Sequence, residues 1–194
     1  MSAIINSLTQ PLEDKKNLHV RQIFSSLKIK TVIHILQSWD KSAKQFIQKA
    51  QVKNPSEASR YESAHQAAKA LIRDFSKRLD FKEKFYLACY DSDEQIQGIM
   101  VLTPAYKAGK PYQELPYLII DLMLANPEHI YSSVLLPTAR KISGIGEALI
   151  QRAEKICLQE QADGLILVPD PSSKGFYHHM GFEEMGIFMK KSLP

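Results

Sequence analysis

One short segment decides the fold of this 194-residue chain, namely Lys141-Ile142-Ser143-Gly144-Ile145-Gly146-Glu147. Its two glycines stand one residue apart, where apolar residues begin to recur with the helical spacing that continues to about Glu160. Without side chains in the way, successive backbone N–H groups at the start of that helix can face one point, and the helix dipole adds roughly half a positive charge. The segment indicates either a phosphate or diphosphate site or a tight turn from strand to helix.

The glycine spacing excludes two common nucleotide-binding motifs. The pattern Gly-x-x-x-x-Gly-Lys-Ser/Thr does not occur in the chain. The dinucleotide pattern Gly-x-Gly-x-x-Gly would need a glycine at the position of Leu149.

Buried strands are predicted on both sides of this helix. Before it, residues 117–125 are apolar except for Asp121, which is typical of a strand covered on both faces, and Asn126-Pro127 ends the strand. After it, residues 164–168 form a short apolar run bounded by prolines. Strand, helix and strand in this order predict a parallel crossover. A short helix over residues 172–180 and a closing strand over residues 187–193 are predicted to follow.

The first half of the chain is predicted to contain two helices at about residues 40–79. Asp40 offers an N-cap for the first, which runs to about residue 51, and Ser56 offers one for the second. Residues 27–36 mix β-branched and polar residues, so a strand and a helix start are both open there. Residues 84–90 and 95–103 are predicted to pair as an antiparallel hairpin, and residues 104–116 to form a loop.

A second motif lies about 30 residues after the paired glycines and ends in Phe176-Tyr177-x-x-x-Gly181-Phe182. Together with Lys141-x-x-Gly144-x-Gly146 it resembles the GNAT superfamily of acyl-coenzyme A N-acyltransferases. The motifs of that superfamily read Gln/Arg-x-x-Gly-x-Gly/Ala and Asn-x-x-Ala-x-x-x-Tyr-x-x-x-Gly-Phe. This chain departs from them at Lys141, at Asp170 where Asn is usual and at Ser173 where Ala is usual.

The resemblance implies an α/β fold with a mixed, mostly antiparallel sheet flanked by helices. Residues 1–194 would form one domain, with the cofactor bound by residues 117–193. The sheet would be splayed open between the strands near 118–125 and 164–168. Between Pro127 and Gly144 lie 16 residues where the family commonly has about five, so part of this segment, about residues 128–140, is interpreted as an insertion of unknown role.

The resemblance also implies acetyl-coenzyme A as cosubstrate and a set of residues that bind it. Pantetheine would pair with backbone near Asn126, and the diphosphate would bind N–H groups from Ile142 to Glu147. The cofactor-binding residues expected on this basis are Leu124, Ala125, Asn126, Arg140, Lys141, Ile142, Ser143, Gly144, Ile145, Gly146, Glu147, Asp170, Ser173 and Phe176.

The family's reaction implies two catalytic residues in this chain. Tyr177 stands at the position of the family's general acid, and a phenol is protonated at pH 7 and can supply a proton to a departing thiolate. Asp121 is the candidate base, because a carboxylate in a nearly apolar strand would be partly desolvated and its pKa raised. A packing role for Tyr177, a salt-bridged or outward-facing Asp121, and a water molecule as base are the alternatives.

The remaining reactive side chains do not indicate further chemistry. The neighbouring His178 and His179 point in different directions on a helix, so no metal is expected. Cys89 and Cys157 fall in apolar patterns and are interpreted as packing residues. Two cysteines, no signal peptide and no membrane span predict a protein of the cytoplasm.

Charge gives a weaker indication about partners. The first 80 residues carry 14 Lys and Arg against 7 Asp and Glu, without a cluster of five, which favours an ordinary solvated surface over a nucleic-acid site. We expect an N-acetyltransferase acting on an amine of a small molecule or protein, as a monomer or homodimer and without a membrane partner. The alternative is a coenzyme A-binding module that acts as a sensor or contacts protein or RNA.

Overall fold

The computed structural model describes residues 18–23, 26–53, 55–76, 84–108, 115–129 and 142–194. Seven strands in these ranges form one sheet. In chain order they are β1 (His19–Gln22), β2 (Phe85–Tyr90), β3 (Ile96–Pro104), β4 (Tyr117–Ala125), β5 (Gly164–Leu167), β6 (Glu183–Met185) and β7 (Phe188–Ser192). The helices are α1 (Ser26–Lys53), α2 (Pro55–Ser76), α3 (Ala105–Ala108), α4 (Ile145–Gln159) and α5 (Lys174–His179).

The strand order across the sheet is β1-β2-β3-β4-β5-β7-β6. Only β4 and β5 pair in parallel, and all the other neighbours are antiparallel. Helix α4 connects the parallel pair, as the crossover predicted from the sequence requires. The expected mixed, mostly antiparallel sheet flanked by helices is confirmed.

Several element boundaries differ from the sequence-based prediction. Helix α1 begins at Ser26 rather than near residue 40, so residues 27–36 are helical and Asp40 lies inside the helix instead of capping it. The reason is packing, because Val32 and Leu36 continue the buried stripe of the helix toward its start. The sequence reading missed α3 inside the predicted loop and the short strands β1 and β6, which carry little burial pattern.

Asp40 joins the two N-terminal helices. Its carboxylate contacts His65 of α2 at 2.5 Å and Lys44 of α1 at 2.9 Å. Burial opposes ionisation of this carboxyl, but the hydrogen bonds from Lys44 and His65 outweigh burial and lower the pKa of Asp40. The helix pair is therefore fixed by a polar contact as well as by its apolar stripe.

Each face of the sheet carries a separate apolar core. The α4 core lies between the sheet and α4, and its members include Leu87, Met100, Leu118, Leu149 and Phe182. The α1/α2 core lies on the opposite face, and its members include Val32, Leu36, Ala68, Ile99 and Leu124.

A β-bulge at Asp121 exchanges the two faces of β4. In the pairing with β3, Leu102 stands opposite Ile120 and Val101 opposite Leu122, so Asp121 is the extra residue. Before the bulge Ile120 belongs to the α4 core, whereas after it Leu124 belongs to the α1/α2 core. In a regular strand Ile120 and Leu124 would face the same side of the sheet, but the bulge between them places them on opposite sides.

The sheet opens immediately next to this bulge. Strand β4 pairs with β5 only through Tyr117, Leu118 and Ile119, although β4 continues to Ala125. Within the described ranges no strand pairs with the β5-facing edge of residues 120–125. The split expected between these strands is therefore present, and it begins after Ile119.

Gly164 at the start of β5 gives a direct test of the pairing between β5 and β7. It has φ +154°, and a Cβ atom there would overlap the carbonyl oxygen of Lys191 in β7. We expect Gly164→Ala to lower the free energy of unfolding by about 3 kcal/mol, measured by urea denaturation. Gly175→Ala is the control, because a Cβ atom at Gly175 would meet no atom within 4 Å. Equal stability of the two variants would contradict the close β5–β7 contact.

Candidate active site

The first turn of α4 lies beside the split with its backbone donors available. Gly144 is the N-cap residue with φ +83°, a left-handed conformation that favours glycine, and no side chain provides a capping hydrogen bond. The first helical bond runs from the Ala148 N–H to the Gly144 carbonyl. The N–H groups of residues 145–147 therefore have no partner within the helix and suit an anion.

The second glycine of the motif has a packing reason of its own. A Cβ atom at Gly146 would lie 2.8 Å from Cζ of Phe176, a residue of α5. The aromatic ring thus rests on the backbone of α4, and the two sequence motifs meet in space. This contact leaves little room for a side chain at position 146 unless the Phe176 ring shifts, whereas the sequence analysis explained Gly146 by the approach of a diphosphate.

Tyr177 is buried beside this contact and belongs to the α4 core. Its ring meets those of Phe176 and Phe182 edge to face, with centroids 5.2 and 5.4 Å apart. Burial raises the pKa of the Tyr177 hydroxyl to about 12, and the Asp170 carboxylate adds to the shift. The phenol is therefore protonated throughout the neutral range.

The Asp121 side chain is 30% exposed and forms a salt bridge, which is one of the alternatives left open for it. The bulge turns its carboxylate to Lys84, at 3.0 Å, and to the hydroxyl of Thr103. Leu102 faces the α4 core, so its neighbour Thr103, and with it Asp121, face the opposite side. Asp121 lies two residues past the last β4–β5 pair, and Tyr177 lies on the other face of the sheet.

Asp170 and Ser173 form the start of the segment that carries Tyr177. The Asp170 carboxylate accepts hydrogen bonds from the Ser172 N–H at 2.9 Å, the Ser172 hydroxyl at 2.6 Å and the Ser63 hydroxyl of α2 at 2.9 Å. The bond from the Ser172 hydroxyl contributes most to lowering the pKa of Asp170. Ser173 donates to the Asp170 carbonyl at 2.8 Å. These polar groups fix the turn before α5 and tie it to α2.

At the end of β4 the expected cofactor residues have mixed surroundings. Leu124 is buried in the α1/α2 core and Ala125 is half-buried against the α4 core. The Asn126 side chain donates to Gln97 at 3.0 Å and accepts from the Glu128 N–H at 3.1 Å. The side chain of Asn126 therefore holds the turn after β4, while the open backbone edge of residues 124–125 remains next to the split.

The expected diphosphate residues before α4 are only partly described. Arg140 and Lys141 lie outside the described residues. The Ile142 N–H points to Nδ1 of His129 at 3.5 Å, whereas the sequence reading directed it to a diphosphate. The Ser143 hydroxyl is buried without a hydrogen-bond partner in the described part of the chain, and Glu147 is exposed.

Three residues near the split were not predicted to have these roles. These residues are Gln97, Ser63 and His129. A signal was present for Gln97, which is one of few polar residues in the apolar run of β3 and is buried there.

Other reactive groups do not add to this site. Cys89 and Cys157 are buried as predicted, and burial raises the pKa of both thiols to about 12. Across the ranges given above, no group of three or more His, Cys, Asp or Glu is arranged to hold a metal ion. None of the described helices is both long and apolar enough to cross a membrane.

The chain matches the profile of the Acetyltransferase (GNAT) family over residues 45–182, which is more than half of its length. It therefore belongs to the GNAT acetyltransferase family. Comparison with curated protein sequences gave no match.

Solved structures share the fold at low sequence identity. A GNAT family acetyltransferase from Staphylococcus aureus Mu50 is 12% identical with a TM-score of 0.54, covering 91% of this chain and 99% of that one. One from Brucella melitensis, in complex with acetyl-CoA, is 16% identical with a TM-score of 0.50, covering 91% and 88%. The spermidine/spermine N-acetyltransferase SpeG from Vibrio cholerae, in complex with manganese ions, is 12% identical with a TM-score of 0.52, covering 91% and 92%.

Proposed function

We propose that this protein is an acetyl-CoA-dependent N-acetyltransferase that transfers the acetyl group directly to a primary amine. One observation carries the proposal. The uncapped first turn of α4 and the buried phenol of Tyr177 lie on the α4 face of the sheet that is split between β4 and β5, while a carboxylate stands at the start of the split on the opposite face.

The residues present fit acetyl-CoA. The free N–H groups of residues 145–147 suit the diphosphate, because backbone donors and the helix dipole both favour negative charge there. The unpaired edge of β4 at residues 124–125 suits the amide groups of pantetheine, which can pair as another strand would. Arg140 and Lys141 are proposed as further cations beside the phosphates. The thioester supplies an activated acetyl group.

Two side chains would handle protons on opposite sides of the split. Tyr177 holds a proton throughout the neutral range and would donate it to the sulfur as the thioester C–S bond breaks. Asp121, or a water molecule beside it, would accept the proton of the attacking amine. This arrangement needs the amine to approach from the side of α1 and α2, where Asp121 faces.

The acceptor is proposed only as a class, an amine on a small molecule or a protein. The fold is shared with the Vibrio cholerae enzyme named for spermidine and spermine, but 12% identity extends the likeness to the fold alone. Buried, unpaired thiols suit a reducing compartment, and on that ground we propose the cytoplasm as its location.

The proposed function is tested by thioester consumption. Acetyl-CoA is incubated with the full chain and a panel of primary amines that includes polyamines, amino acids, aminoglycosides and lysine-containing peptides, and free thiol is measured. We expect amine-dependent release of coenzyme A with at least one class. Tight binding of acetyl-CoA by calorimetry without turnover on any amine would instead indicate a binding module.

Tyr177→Phe tests the general acid. The substitution keeps the ring contacts with Phe176 and Phe182 and removes only the proton donor, so we expect kcat to fall by about a hundredfold or more with little change in acetyl-CoA binding. Because the pKa of Tyr177 is about 12, the unaltered protein should show no loss of kcat from phenol ionisation below about pH 11. Tyr106→Phe, at an exposed tyrosine of α3, is the control. An unchanged kcat in Tyr177→Phe would refute the assignment.

Asp121→Asn tests the base. Asparagine retains the size of the side chain and an acceptor for Thr103, but it cannot take a proton, so we expect kcat to fall by about a hundredfold. Asp93→Asn in the exposed hairpin turn is the matched control. If Asp121→Asn keeps kcat within about threefold of the unaltered protein, water rather than Asp121 accepts the proton.

A further inference from the structure

A buried amide links β3 to the end of β4 and to the turn that precedes residues 130–141. Gln97 is 7% exposed, and its Nε2 donates to Asp91 at 2.6 Å. Its Oε1 accepts from Nδ2 of Asn126 at 3.0 Å and lies 3.0 Å from Nε2 of His129. One side chain thus joins the β2–β3 turn, the end of β4 and the 3₁₀ turn Pro127–His129.

The fixed donors and acceptors around this amide determine where the protons lie. A carboxylate such as Asp91 can only accept, so the Gln97 NH₂ must face it. The Glu128 N–H can only donate, so Asn126 presents Oδ1 to it and Nδ2 to Gln97. The Gln97 oxygen is then an acceptor, and His129 must carry its proton on Nε2.

The same tautomer leaves Nδ1 of His129 as an acceptor. The backbone N–H of Ile142 faces this nitrogen, with 3.5 Å between the two nitrogen atoms, and a backbone N–H can only donate. The proton positions deduced from Asp91 and Glu128 therefore agree with the contact between His129 and Ile142. His129 and Ile142 stand on either side of residues 130–141, and this contact brings the two ends of that segment together.

Packing holds the start of α4 at the same place. A Cβ atom at Gly98, the residue after Gln97, would overlap Cγ2 of Ile145, the first residue of α4. Two successive residues of β3 thus help to hold the start of α4. Gln97 acts through the contacts of His129, and Gly98 acts through close apolar packing. The N–H groups that suit the diphosphate belong to this turn.

We propose that Gln97 and His129 are positioning residues that hold the Ile142–Gly144 turn so that the first N–H groups of α4 face the diphosphate of acetyl-CoA. The inference rests on the proposed function. It assigns the two residues a role in cofactor affinity and none in the transfer of the acetyl group.

The test compares acetyl-CoA with S-acetylpantetheine, a thioester that lacks the diphosphate. His129→Phe removes the contacts with Gln97 and with the Ile142 N–H, and we expect it to raise the Kd and KM for acetyl-CoA about tenfold while kcat stays within about twofold. For S-acetylpantetheine, kcat/KM should be unchanged. His129→Asn can still accept from the Ile142 N–H but loses the contact with Gln97, so its acetyl-CoA affinity should lie between those of the unaltered protein and His129→Phe.

Controls separate positioning from damage to the fold. His34→Phe makes the same substitution at an exposed histidine of α1 and should change neither substrate's constants. Gln97→Met removes the acceptor for Nε2 of His129 and should reproduce the selective loss for acetyl-CoA if His129→Phe does not fold. In addition, ¹H–¹⁵N spectra of the unaltered protein should show the His129 proton on Nε2.

The outcomes distinguish the inference from the function on which it rests. If the unaltered chain does not bind acetyl-CoA, the proposed function fails and the inference fails with it. If the chain binds acetyl-CoA but the His129 and Gln97 variants bind it equally well, the inference alone is overturned. Equal losses with both thioesters, or a proton on Nδ1, would overturn it as well.

Discussion

The short pairing of β4 with β5 is the constraint on which the rest of the site depends. Three residue pairs join the strands, and after Ile119 the backbone of β4 has no partner on that side among the described residues. An unpaired strand edge exposes N–H and C=O groups that can bind another extended chain. Because the bulge at Asp121 begins at the same point, the opening in the sheet and the change of side-chain faces occur together.

The contact between Phe176 and Gly146 brings α4 and α5 together. The ring of Phe176 rests on Gly146, so the helix that carries Tyr177 packs on the helix whose first N–H groups are uncapped. Burial among aromatic rings then keeps the Tyr177 phenol protonated, since the charged form would lose its solvation. The aromatic packing around Tyr177 therefore also keeps its hydroxyl protonated.

Local pattern predicted most of the elements but not the surroundings of their side chains. The limits of β4 and the start of α4 follow from an apolar run and from helical spacing, which neighbouring residues alone create. Asp121 appeared as a lone charge in an apolar strand and was expected to be desolvated. The bulge that turns it toward Lys84 depends on how β4 pairs with β3, and this pairing cannot be predicted from the sequence of either strand alone. The prediction began α1 too late, because the β-branched residues in positions 27–36 made a strand equally plausible. The packing of Val32 and Leu36 shows that the helix extends through them.

The sequence by itself determined the order of the elements from β2 to α5 apart from α3, the glycine turn before α4 and the resemblance that led to the family. These features are local, since they rest on periodicity and on residues a few positions apart. Only the tertiary structure decided that Gly146 accommodates Phe176, that Tyr177 and Asp121 lie on opposite faces of the split, and that Gln97 fixes the tautomer of His129. Those relations join residues distant in the chain, and register, burial and hydrogen-bond complementarity between separate elements create them.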